Sequence, residues 1–151
     1  MDLSPAEIAL RLAAAAASGA LIGINRDLAD KPIGVRTLAL VALGAATVSV
    51  ATMQVPGMDA NPDAMSRVVQ GVIQGIMAGI SFIGAGVILR DSQKRTVEGL
   101  TTAATVWVTA ALGISCGFGM WIVVGIATTI ALILLIAAAW TERWFSTKRG
   151  K

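Results

Sequence analysis

Between Arg67 and Arg90 the chain runs for 22 residues without a formally charged side chain. A helix of that length crosses the ~30 Å hydrocarbon core of a bilayer. Inside a bilayer no water is available to bond backbone amides and carbonyls, so a segment that enters must close its hydrogen bonds along its own helix. The run also carries more than apolarity requires. Gly71, Gly75 and Gly79 recur every four residues, Gln70 and Gln74 stand beside them, and Gly84 and Gly86 follow. Glycines in this register let another helix approach the backbone closely, and amides need partners where lipid offers none.

The rest of the chain repeats the pattern. Neutral runs at 6–24, 37–55, 68–89, 100–116 and 118–140 are separated by short connectors that hold most of the charge. Charged residues make up 14% of the chain, against about 25% in a soluble domain. The mean hydropathy is +0.76. One such run is compatible with a buried core helix; five in 151 residues are not. The sequence therefore predicts an all-α integral membrane protein, a bundle of five transmembrane helices, forming a single domain over residues 1–151 with no soluble domain after the fifth helix. The small residues of the first span resemble a signal-peptide cleavage site. However, Asp2 and Glu7 precede any positive charge and Arg11 interrupts the apolar stretch, so cleavage is not expected.

Residue inventory narrows the chemistry. The single cysteine, Cys116, cannot form an intramolecular disulfide, and the absence of histidine removes histidine proton relays and histidine-based zinc sites. Asp59, Asn61 and Asp63 share a loop but lack the spacing of a hard-cation site. With no nucleophile–base pair either, no enzyme, metal or cofactor is expected.

Basic residues set the orientation. Ten of the twelve arginines and lysines fall in the first connector, the third connector or the C-terminal tail, all on one side of the membrane. The positive-inside rule places that side in the cytoplasm and the N-terminus outside. The basic loops favour lipid headgroups as partners over nucleic acid. Trp121 and Trp140 bracket the fifth span about 28 Å apart along a helix, matching the two interfaces. That span is otherwise nearly featureless and is read as the most lipid-exposed.

Polar residues within the spans carry the functional argument. Glu7 and Arg11 are four residues apart with the acid nearer the N-terminus, the favourable order for a helical pair. Two readings stay open: both side chains reach for the outer headgroups, or Arg11 enters the bundle and a carboxylate compensates it. The glycines of span three read either as plain helix packing or as a kink near Gly84 exposing backbone carbonyls to a polar cavity. In span four, Thr102, Thr105, Thr109 and Gly113 share one face, offered here as the surface opposite the span-three glycines. That pairing puts span three at the centre of the bundle.

Several segments occur in the order found in a known family: GALIGINRD at 19–27, KPIGVRTLALVALGAA at 31–46, SRVVQG at 66–71, GISFIGAGVILR at 79–90 and VEGLTTAATVWVTAALGISCGFG at 97–119. Together they resemble the MgtC/SapB family of bacterial inner-membrane proteins. The resemblance implies a five-helix membrane domain in the inner membrane and a role in magnesium homeostasis, low-magnesium adaptation or virulence through regulation of other membrane proteins. By motif match it points to Arg26, Arg36, Thr37, Gln70, Gly79, Gly84, Gly86, Gly99, Thr101 and Thr102. It also marks Asn25, which stands where the family often has glutamate, and the missing soluble domain that many members carry.

The residues alone leave two classes. A non-enzymatic regulator would act through helix contacts as a homodimer or with other membrane proteins, using Gly75, Gly79 and the neighbouring Gln74. A small transporter or channel would need a polar route between spans one, three and four through Arg11, Gln70, Gln74 and the threonines. The glycine registers and the shortage of buried acids favour contact.

Overall fold

In a computed structural model the described residues are 3–57, 62–91 and 96–149. Asp59 and Asn61 of the first long loop, and Lys94 and Arg95 of the basic connector, lie outside them. Five helices follow in order: α1 Pro5–Leu28, α2 Val35–Met53, α3 Pro62–Val87, α4 Leu100–Gly117 and α5 Trp121–Arg149. Each contains a stretch long and apolar enough to cross a membrane. A short antiparallel hairpin of β1 Leu89–Asp91 and β2 Thr96–Glu98 joins α3 to α4, with Arg90 opposite Val97. The apolar pattern gave no sign of this hairpin, because a three-residue strand is too short for a period.

Local chemistry sets the helix ends. Ser4 caps α1 by accepting a hydrogen bond from the Glu7 amide, and Pro5 occupies the first turn, where no intrahelical donor is lost. At the other end α1 extends through Asn25, Arg26 and Asp27, residues assigned by sequence to a connector. Asp27 then accepts from the Val35 amide at 3.0 Å and so caps α2, a job Gly34 has no side chain to do. Gly119, at φ +72°, turns the chain between α4 and α5, so α5 begins at Trp121 rather than at the expected 118.

The core forms between α1, α2 and α4. Ala15, Ala42, Ala46 and Cys116 make one fully buried cluster, and Ile22, Leu38, Val106 and Leu112 make a second. Small residues allow the approach. A Cβ on Gly19 or Gly23 would strike the α2 backbone at Leu38 or Val35, and one on Gly113 or Gly117 would strike it at Ala42 or Ala46. Two glycine pairs at four-residue spacing thus clamp α2 from both sides. α4 touches every other helix and is the most buried of the five, whereas α3 and α5 are largely exposed. The expectation that span three is central fails: that place belongs to α4, the shortest span, because its small residues face α1 and α2.

The face of the threonine stripe is corrected for the same reason. Gly113 meets α2, Thr102 meets α1, and Thr109 is buried, so the stripe does not oppose the α3 glycines. α3 itself continues unbroken through Gly84 and Gly86 to Val87, which removes the proposed break. Gly84 packs there on Ala103 of α4, at an ordinary 3.6 Å from where a Cβ would stand. Trp107 is half exposed, lining a groove between α3 and α4 with Val69, Ile73 and Met77.

Candidate functional site

Two buried arginines mark opposite ends of α1, fifteen residues or about 22 Å apart. At the first end Arg11 turns into the bundle. Its Nε donates to Glu7 Oε1 at 2.8 Å, and Nη1 donates to the Gly117 carbonyl at 2.9 Å, with Met53 Sδ 3.5 Å away. The guanidinium therefore ties α1 to the ends of α2 and α4. It also meets the negative end of the α4 dipole, a favourable place for a cation. Nearby, Gln54 at the end of α2 accepts from the Leu3 amide at 3.2 Å. Of the two readings of Arg11, the inward one holds: a charge that would cost on the order of 3 kcal/mol in hydrocarbon is met by a carboxylate and a carbonyl.

At the second end Arg26 is 3% exposed. Its Nη2 donates to the Thr102 hydroxyl on α4 and to the Pro32 carbonyl in the α1–α2 connector, the latter at 3.3 Å. Gly99 precedes α4 with φ +89°, and a Cβ there would collide with the Val87 carbonyl at the end of α3. Only glycine meets both demands at once. Around these residues opens a cavity of about 480 Å³ between the ends of α1, α3, α4 and α5. Asn25, Arg26, Gly99, Thr101 and Thr102 all line it, so five residues from two distant sequence segments converge on one space. Lys31 and Glu98 stand on its wall as well.

The other sequence-predicted residues lie elsewhere. Arg36 and Thr37 are exposed on the first turn of α2. Gln70, Gln74, Gly75, Gly79 and Gly86 occupy the outer side of α3, and only Gly84 of that series is buried. Between the two arginines the core is apolar, and the buried hydroxyls there are already engaged. Ser18 donates to the Ala15 carbonyl, Ser49 to Ala45 and Thr109 to Thr105, each at 2.8–2.9 Å within its own helix. The residues of the proposed polar route are thus not brought together. Among the described residues no cluster of three or more acids, cysteines or histidines could hold a metal ion.

Sequence reasoning missed the inner glycines, Gly19, Gly23, Gly113 and Gly117, as the packing set. Their four-residue spacing was available as a signal, but it is identical to that of the outer α3 glycines.

Comparison with known proteins follows the same lines. The chain is 43% identical over 136 residues to Protein SrpB of Synechococcus elongatus, covering 85% of this chain and 72% of that protein. It is 41% identical over 133 residues to Protein MgtC of Salmonella typhimurium and 39% identical over 127 residues to Protein MgtC of Brucella abortus. Those two matches cover 86% and 84% of this chain but only 53% and 49% of the relatives, so the chain spans about half the length of either MgtC protein. No solved structure matches it. The model of the MgtC family matches residues 12–144, a stretch that holds the whole Arg26 cavity and all the close-packed glycines; this multi-pass bacterial inner-membrane protein belongs to the MgtC family.

Proposed function

We propose that the protein is a non-enzymatic regulator of the bacterial inner membrane that works by helix contact, with α3 as its contact helix and a homodimer as its simplest assembly. The observation that carries this reading is the outer face of α3. Among the described residues, nothing lies within 4 Å of where a Cβ would stand on Gly71, Gly75, Gly79 or Gly86. The side-chain amides of Gln70 and Gln74, both exposed, make no hydrogen bond among the described residues. A lipid tail cannot satisfy two amides, whereas a second helix lying on the glycines can accept and donate to both. Phe82, 84% exposed and three residues beyond Gly79, supplies a knob for the hollow that glycines leave on a symmetry-related copy.

On this reading the Arg26 end faces the cytoplasm and the N-terminus lies outside. The role in magnesium homeostasis, low-magnesium adaptation or virulence is then exerted on other membrane proteins rather than by moving an ion. The apolar core between Arg11 and Arg26 supports contact over passage.

The test is self-association of the purified protein in mild detergent, read by light scattering and by cross-linking in native membranes. Gly75→Leu and Gly79→Leu are expected to convert dimer to monomer while leaving the helical content unchanged. Undiminished self-association in both variants would remove the α3 interface. A magnesium, proton or anion flux in liposomes that Arg11→Ala or Gln70→Ala alters would replace regulation with transport.

A further inference from the structure

The Arg26 cavity adjoins a second space of different chemistry. A groove of about 310 Å³ runs between α1, α4 and α5, walled by Ile22, Ala104, Val108, Ala131 and Leu134. Thr101, Leu135 and Ala138 border both spaces, so the two lie side by side. The groove is apolar despite Thr105, whose hydroxyl donates to the Thr101 carbonyl of its own helix at 2.7 Å. From Thr101 to Val108 its α4 wall descends seven residues, about 10 Å, from the end of the helix toward the hydrocarbon.

Among the described residues, the wall of the cavity at the top carries more positive than negative charge. The described side chains on its wall include Arg26 and Lys31 against a single acid, Glu98. α4 also begins there with no side-chain cap on its amides, so the positive end of its dipole faces the same space. An arginine, a lysine and a helix N-terminus above an apolar trough match one class of molecule at a membrane interface.

The geometry points to a binding site for one anionic phospholipid, its phosphate in the Arg26 cavity and the upper part of one acyl chain in the groove between α4 and α5. A free phosphate leaves the groove unfilled. A zwitterionic lipid brings its own cation against Arg26 and Lys31 and is disfavoured. The site uses no residue of the α3 contact face, so it stands or falls separately from dimer formation.

Native mass spectrometry of the detergent-solubilised protein tests it, with phosphatidylglycerol, phosphatidylcholine and inorganic phosphate offered in turn. Phosphatidylglycerol is expected to stay bound under conditions that strip phosphatidylcholine. Lys31→Gln removes one interfacial charge and should weaken phosphatidylglycerol about fivefold. Ala104→Phe fills the groove from an exposed position and should weaken the lipid severalfold without altering phosphate binding. Circular dichroism and elution volume establish that both variants are folded; a variant that fails there is replaced by Ala104→Leu. Equal retention of the two lipids, or retention unchanged in both variants, overturns the proposal. Binding of inorganic phosphate with no preference for the lipid reassigns the cavity to a soluble anion and overturns it equally.

Discussion

Single residues hold this bundle at its ends more than along its length. Arg11 joins three helices through one guanidinium, and its nearest charge is Glu7, one turn away. Glu7→Gln keeps the shape of that partner but removes its charge. It is expected to destabilise the protein by about 0.5–2 kcal/mol, the difference between a hydrogen bond to a charged acceptor and one to a neutral acceptor. Thermal unfolding in detergent measures this, and Arg11→Met added to Glu7→Gln should recover part of the loss, because the unpaired charge is then gone. An additive double variant would show that the pair does not matter. The pair was legible in the sequence, since a favourable i, i+4 order needs only one helix. The Gly117 carbonyl was not, because that partner lies 106 residues away and depends on how α4 is placed. Arg26 shows the same limit more sharply. Counted among exposed connector charges, it lies buried because α1 runs one turn further than apolarity indicated, which carries it to Thr102.

At the level of helices, one spacing serves two purposes. Gly19 and Gly23, like Gly113 and Gly117, bring backbones together inside the chain, while Gly71, Gly75 and Gly79 meet nothing among the described residues. Gly113→Ala would drive a methyl into the Ala42 carbonyl and should cost about 1–3 kcal/mol, as overpacking does. Gly44→Ala, on the open side of α2, should be silent or slightly stabilising in the same assay. Equal effects at the two sites would show that α2 is not clamped between α1 and α4 as described. The five helices and their approximate limits could be read from runs of neutral residues, because length and apolarity alone decide what crosses a membrane. Which glycines face inward could not, because the pattern is the same on either face. Only the neighbours distinguish them: the α2 backbone and Ser49 for the inner set, lipid or another chain for the outer.

Taken whole, the molecule is a tight three-helix core with two helices laid against it, and its charge is spread unevenly between its ends. Because the sequence puts ten of its twelve basic residues in the connectors and tail assigned to one side of the bilayer, a reporter fused to the C-terminus should fluoresce as a cytoplasmic green fluorescent protein does, and one fused to the N-terminus should be active only as an exported phosphatase. The opposite pattern would invert the bundle and place the lipid cavity in the outer leaflet. The Glu7–Arg11 pair bears on how such a chain comes to exist at all. During synthesis the first helix leaves the ribosome long before α4 has been made, so the Gly117 carbonyl cannot yet receive Arg11. The carboxylate one turn away travels on the same helix and neutralises the arginine from the moment that turn forms. A nascent α1 thus reaches the translocon as a nearly neutral segment, and its later partner is added only when the fourth span arrives.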